Sequence, residues 1–497
     1  MKKNTDDVIK KLFGEDVIEI DTSVTSKNDN GQEEQKNNSS GNKHTDSQSD
    51  TVRNAQREND TKEEKRNQKD ARTETRKSSH PKKNGSVEDS QEAIRKEKVS
   101  DKKSRWKKHG IRIGIALCIL TGMYLTFVYS DIPFIAKWRT IYIETAMTTN
   151  SHQWLATLFF PQSVIDEVME TRRKSFEAQA DVASSWENIE KETDTDRDTF
   201  YTKYWELDTV SFRKYLEEHP GQILDGYNDI LIKDLDKELG LKTAAGDDVL
   251  VVDTANNLLI IGVKGNGYQG KLAIVKDPSQ ITFGKSSALG SFGQEIDSFC
   301  ESYDAILGIN ASGFKDVDGV GTGGEVNGCL VIDGVDYGSH YKDAAWKFFG
   351  FKDDNRLYIT NYSNGIEKEY RWGMEFFPAL IVDGKNVVDG TYGMGIQPRS
   401  AFGQTKNGDV LMLVVDGRQT HSLGCTVDDC SKILLRYHTY QAMNLDGGSS
   451  SVMYYDGEFI TSSSSVTGRG RYMPDAFLVT KGSEETVIDA KPATAKE

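Results

Sequence analysis

The first hundred residues contain one aromatic side chain, Phe13, and almost nothing else that could enter a core. Lys, Glu, Asp, Asn, Gln and Ser dominate them instead. A segment of that composition cannot bury enough apolar surface to offset the entropy of ordering its backbone, so residues 1–104 are expected to be disordered. A short amphipathic helix near Val8 to Phe13 is the one exception the pattern allows. The chain also lacks a sustained basic stripe. Its formal net charge is −15, and acids and bases alternate through the N-terminal region, which speaks against nucleic-acid binding. Histidine is scarce at eight, with no HExxH and no closely spaced pair, and His421 reads as a surface residue. Asp316, Asp318 and Gly319 are spaced like the start of a calcium loop, but position 12 of that loop falls on Asn327 where a glutamate is needed. No metal and no cofactor are expected. Cysteine is scarce too. Of the five, Cys118 lies in the long hydrophobic run, and the other four permit two disulfides in three possible pairings.

That run, Ile111 to Tyr129, reads IRIGIALCILTGMYLTFVY, and its one charge is Arg112 at the edge. A helix of about 20 apolar residues crosses a bilayer. The run starts too far along the chain for an ordinary cleaved signal peptide. Lys102, Lys103, Arg105, Lys107 and Lys108 precede it and Asp131 follows, so the positive-inside rule puts residues 1–110 in the cytoplasm and 131–497 outside. The expectation is a single-pass cell-membrane protein with a transmembrane helix at 111–129. Its N-terminal tail is left free for a cytoplasmic partner.

Residues 131–240 read as a helical stalk with apolar clusters at Trp138, Ile141 and Tyr142 and at Trp154, Leu155, Leu158, Phe159 and Phe160. These spacings fit helices lying at the membrane surface, and equally a stalk packed on itself or on a second copy. From Asp247 the period changes to short β-type runs such as VLVVD at 249–253, LLIIGV at 258–263 and VLMLVV at 410–415. Asp333-Gly334, Asp383-Gly384 and Asp456-Gly457 mark hairpins. Residues 241–482 are therefore expected to form an α+β domain, a mixed and largely antiparallel sheet with few helices, followed by a second disordered tail at 483–497. One helix is well marked. Thr426 can cap it, Asp429 stands where a capping box needs an acid, and Cys430, Ile433, Leu434 and Tyr437 form one apolar stripe. Cys425 and Cys430 occupy positions that meet in a hydrophobic staple, as a disulfide or as two packed thiols.

Three stretches cluster polar residues with glycine at the ends of apolar strands: INASGF at 309–314, QPRSAFG at 397–403 with VVDGR at 414–418, and NLDGGSSSVM at 444–453. Asp-Gly occurs eight times in the chain, so the pair alone marks a turn more often than an acid. Asp416 and Asp446 differ from the turn cases, the first because Arg418 follows it and the second because Gly447, Gly448, Ser449 and Ser450 follow it. A Gly-Gly-Ser-Ser turn can aim backbone N–H groups and hydroxyls at one anion, and Arg399 and Arg418 add forked donors matched to phosphate.

In this order and spacing the three stretches resemble the phosphodiester glycosidase family, over about Ala245 to Gly482. PRSAFG, DGR and NLDGGSSS are similar to the family's PR-T-A-x-G, DGR and NLDGGGSS patterns. Two departures stand out: the family's NGGF is here Asn310-Ala311-Ser312-Gly313-Phe314, and its third aspartate-loop glycine is Ser449. The resemblance implies hydrolysis of the bond between a sugar's anomeric carbon and a phosphodiester, on a sugar-phosphate or envelope polysaccharide. Such a reaction calls for a carboxylate to meet oxocarbenium charge and arginines to hold the phosphate. The candidates are Asp446, Asp416 and Glu325 as catalytic carboxyls, and Arg399, Arg418, Asn310, Asn444, Gly447, Gly448, Ser449 and Ser450 for binding. An inert module that binds a phosphate-containing polymer, or an assembly protein working through its tail, would use much the same surface. Carboxylates beside the arginines favour the enzyme, because a polyanion binder gains nothing from them.

Overall fold

In the computed structural model of the chain the described residues are 87–149, 152–186, 200–219, 230–235, 239–316, 320–341, 345–388, 390 and 394–482. The Val8 to Phe13 helix, most of the N-terminal tail, Asp318 and the 483–497 tail lie outside them. Residues Trp106–Glu497 form one compact unit, and it carries the sheets.

The first helix among the described residues, α1, runs Val87–Tyr129, and its segment Arg105–Tyr129 is long and apolar enough to cross a membrane. Ile113, Leu117, Leu120 and Met123 are exposed, as a lipid-facing helix requires and a core helix does not. Three helices follow it closely: α2 (Pro133–Met147), α3 (Trp154–Phe159) and α4 (Gln162–Glu177). They pack together around Ile143, Ala156, Phe160 and Ile165.

The rest of the segment read as a stalk lies on the sheet domain. The Gln179 amide both donates to the Ala379 carbonyl and accepts from its N–H, and Trp186 Nε1 donates to the Leu357 carbonyl. Phe200, Tyr204 and Phe212 enter the main core, and Leu231–Lys233 adds an edge strand. A buried ion triad pins this region: Lys276 Nζ is 2.5 Å from Glu206 and 3.2 Å from Asp409.

The centre of the domain is a nine-stranded sheet, antiparallel at every pairing. Its inner strands run in the order Asp248–Asp253, Leu258–Gly265, Tyr268–Val275, Val410–Val415, Arg399–Thr405, Thr439–Asn444 and Ala379–Val382. Both faces are covered, which is why VLMLVV reads as an unbroken apolar run. Leu411, Leu413 and Val415 meet the helix Val427–Leu435, while Val410, Met412 and Val414 face two five-stranded sheets on the other side. The α+β class expected from the sequence is the class observed. All three Asp-Gly hairpins form with positive φ at both turn residues, as a two-residue type I′ loop needs. The Thr426–Asp429 capping box forms as well. Cys425 and Cys430 are free thiols whose sulfurs touch at 3.4 Å.

Candidate active site

Antiparallel pairing brings distant motifs to one end of this sheet. Arg399 opens its strand opposite Val415, which closes the neighbouring strand, and Ala401 pairs with Asn444 at the end of the next. The residues after Val415 and Asn444 therefore leave the sheet beside Arg399. Arg399, Arg418, Asn444 and residues 445–449 line a cavity of about 760 Å³, a size typical of small-ligand sites.

Both arginines are held by neutral acceptors. Arg399 Nε donates to the Cys425 carbonyl at 3.3 Å, and Nη2 to the carbonyls of Met394 and Gly395 at 2.6 and 3.0 Å. Arg418 donates from Nε and Nη2 to Gln397 Oε1 at 3.1 and 2.6 Å. Among the described residues neither guanidinium forms an ion pair. Burial works against the charge of both, and at Arg418 the neighbouring Arg399 adds repulsion.

Asp446 stands beside them at the end of its strand, half-buried, and lines the cavity. Burial pushes its carboxyl up to about 6, against hydrogen bonds from the Ser450 hydroxyl and the Gly447 N–H. The loop after it is less of an anion nest than its glycines and serines suggest. The N–H groups of Gly448, Ser450 and Ser451 are spent on the carbonyls of Pro398, Gly447 and Gly448. Gly447, Gly448 and Ser449 line the cavity, and a Cβ at Gly447 would come 2.8 Å from the Pro398 carbonyl oxygen. Asn444 also lines the cavity. Its Nδ2 donates to the Phe377 carbonyl, and its buried Oδ1 has no partner, leaving an acceptor that a ligand hydroxyl would satisfy.

The remaining candidates sit elsewhere. Asn310 is buried and fully used: Nδ2 donates to the Asp446 carbonyl at 2.7 Å, while Oδ1 accepts from Ser400 Oγ and Val452 N. It is a strut for the aspartate loop. Asp416 does not line this cavity. Its carboxylate accepts from Ser462 N at 2.9 Å and lies 3.3 Å from His421 Nε2, tying down the chain that leads to the cavity wall at Ser464 and Ser465. Glu325 is exposed and paired with Lys315, outside the cavity.

Several lining residues carry no motif signal. Trp346, Phe376 and Phe377 form an aromatic wall, with Trp346 and Phe377 ring centroids 4.9 Å apart. Asp316, read as part of a calcium loop, makes a bidentate pair with Arg471 at 2.9 and 3.0 Å, and both line the cavity. Thr148, Thr149 and His152 reach it from the loop after α2. Away from the cavity, Cys329, Asp336 and His340 bring three donor atoms within 4.8 Å of one another, where a metal ion would find ligands. Burial raises the Cys329 thiol well above its usual range, so it would have to lose its proton on binding.

Asp475 lies behind the site. It is fully buried, Oδ1 accepts from Ser312 N at 2.7 Å, and Oδ2 has no partner. Burial pushes this carboxyl up to about 7, and does the same to Glu144 on α2. Carboxyls raised in the folded state hold protons that the unfolded chain has already released, so stability falls as pH rises from about 4 to about 7. The full chain in detergent should melt at a higher temperature at pH 5 than at pH 8, and Asp475→Asn should narrow the difference. A melting temperature that climbs over this range would contradict the assignment.

The cavity's chain of origin has relatives. The SPbeta prophage-derived uncharacterized protein YomE of Bacillus subtilis is 26% identical over 227 residues, 42% of this chain. The matched part spans 32% of that protein, about a third of its length. Among solved structures, the zebrafish N-acetylglucosamine-1-phosphodiester alpha-N-acetylglucosaminidase catalytic domain, auto-inhibited by its pro-peptide, is 18% identical with a TM-score of 0.37, over 45% of this chain and 82% of that one. A hypothetical protein from Synechocystis is 13% identical with a TM-score of 0.36, over 48% and 65%. The resemblance carried by PRSAFG, DGR and NLDGGSSS is met at the level of the family: residues 303–480 match the phosphodiester glycosidase family.

Proposed function

We propose that this chain is a membrane-anchored hydrolase that cleaves a sugar-1-phosphodiester bond of an envelope glycan or exopolysaccharide, outside the cytoplasm. The observation that carries the reading is the pair of arginines, buried Arg399 and the more exposed Arg418, lining one cavity with Asp446 and with no ion pair among the described residues. A buried guanidinium held only by carbonyls is costly, and a bound phosphodiester would bring to Arg399 and Arg418 oxygens matched to their forks. The aromatic wall of Trp346, Phe376 and Phe377 offers a surface for the apolar face of a sugar ring.

In this reading the arginines hold the phosphate while Asp446 faces the anomeric carbon. Water adds to that carbon and the bond to the phosphate oxygen breaks, its electron pair staying on the oxygen. The water proton passes through Asp446 to solvent. A sugar with a free anomeric hydroxyl and a phosphomonoester leave. A phosphate leaving group is weakly basic and needs little protonation, so arginines serve where other glycosidases use a second carboxylic acid. Anchoring and export rest on the apolar helix and its basic flank.

The full chain, incubated with a panel of hexose and N-acetylhexosamine 1-phosphodiesters, should release free sugar and phosphomonoester together. Tight binding of these diesters with no turnover would instead make the chain an inert binding module.

A further inference from the structure

Two features of the site come from the segment next to the membrane. α2 supports the arginine that its own loop faces: Thr145 Oγ1 accepts from Ile396 N at 2.9 Å, and the Thr145 carbonyl accepts from Gln397 Nε2 at 3.1 Å. Gln397 in turn holds Arg418. The packing is close enough to demand glycine at 395, where φ is +60° and a Cβ would lie 2.5 Å from Thr145 N. After α2, Thr148, Thr149 and His152 form one wall of the cavity.

The same helices are tied to the apolar end of α1. Tyr124 donates from its hydroxyl to the Phe159 carbonyl at 2.9 Å, the rings of Phe127 and Phe160 meet at 5.7 Å, and Arg139 Nη1 donates to the carbonyls of Val128 and Ser130. Tyr124 lies five residues before the end of the apolar segment, so the end of α3 sits alongside the span, roughly 8 Å back from its terminus. The segment Arg105–Tyr129 is 25 residues, about 37 Å of helix against a hydrocarbon core of about 30 Å. The excess lies on the basic side, before Ile111, so the end of α3 sits roughly 8 Å inside the outer hydrocarbon boundary, at the membrane surface layer. At that level Phe134, Trp138, Trp154, Leu158 and Phe159 are exposed, an aromatic and aliphatic surface continuous with the span. Trp154 is two residues from His152, so the cavity wall is within about 7 Å of chain from this surface.

We propose that α2 and α3 lie in the bilayer surface and complete the cavity there, so that the substrate is a glycosyl phosphodiester anchored in the same membrane by a lipid on its phosphate. The proposal rests on the hydrolase reading above and names its substrate class. Such a lipid presents phosphate and sugar to Arg399, Arg418 and Asp446 without leaving the bilayer. Hydrolysis frees the sugar and leaves the lipid monophosphate behind.

The test uses the full chain reconstituted in phosphatidylcholine vesicles, with hexadecyl and methyl diesters of the same sugar 1-phosphates. The hexadecyl diester should be turned over at least ~10-fold faster, since confinement to the surface raises its effective concentration. Phe134→Ser with Leu158→Ser should remove that advantage and leave methyl-diester turnover unchanged. A fluorophore at Leu158→Cys, in a Cys118→Ala background where the other thiols are buried, should be quenched by brominated lipid and not by iodide. Quenching by iodide, or protection from both quenchers as a second copy of the chain would give, overturns the membrane seat. Equal turnover of the two diesters overturns the substrate class alone. Turnover of neither removes the hydrolase reading and this proposal with it.

Discussion

Replacing Asp446 with asparagine should abolish turnover while leaving the fold and the affinity for phosphate intact. Asparagine keeps the size and can still accept from the Ser450 hydroxyl and the Gly447 N–H that meet the carboxyl now. It removes the negative charge and the proton acceptor, and a positioned acid–base group contributes about 10²- to 10⁴-fold. The expected loss in kcat is therefore about 10³-fold, with a melting temperature near neutral pH that holds or rises, because the buried charge no longer has to form. Phosphate affinity should hold or rise, because the arginines lose a neighbouring anion that competes with the ligand. In the wild type, kcat/KM should fall below about pH 6, where burial has placed this carboxyl's protonation. An Asp446→Asn enzyme as fast as wild type would move the catalytic role to another carboxyl, and Asp316 and Glu295 also line the cavity.

Arg399→Ala should behave differently. A phosphate clamp acts on substrate and transition state alike, so KM should rise while kcat/KM falls about 10²- to 10³-fold. The carbonyls of Met394, Gly395 and Cys425 that Arg399 now satisfies are left without it, and some loss of thermal stability should accompany the change. Arg399→Lys keeps a charge but not the fork, and should recover binding only in part. Steady-state kinetics on one sugar 1-phosphodiester separate the cases. A fall in kcat at unchanged KM would mean that Arg399 meets only the transition state.

Much of the architecture could be read from local signals, because each is a short-range rule. Asp-Gly pairs between apolar runs gave three two-residue hairpins, and Thr426 with Asp429 gave a capped helix. The site was legible in part. Arg399, Arg418, Asn444 and Asp446 end or follow strands, and antiparallel pairing carries all four to one cavity. Asn310 and Asp416 had the same signal, polar side chains at the ends of apolar strands, yet both turn to backbone partners and hold loops in place. Sequence does not say which way the last side chain of a strand points, and a one-residue change reverses it. Asp475 opens an ordinary strand, where only burial distinguishes it. Thr148, Thr149 and His152 could not have been found, since they reach the cavity through contacts with residues some 250 positions away. The departure Ala311-Ser312 from the family pattern adds a buried hydroxyl 3.6 Å from Met374 Sδ, while the contacts to Asp475 and Asp446 use backbone groups that glycines would offer as well.

The most direct test is to run the hydrolysis by the full chain in water enriched in oxygen-18 and to follow the phosphorus resonance. Attack at the anomeric carbon, with Arg399 and Arg418 holding an intact phosphate, should give a phosphomonoester that carries no heavy oxygen. Heavy oxygen in the phosphomonoester would show that water attacks phosphorus, and would contradict the glycosidase assignment of the cavity around Asp446.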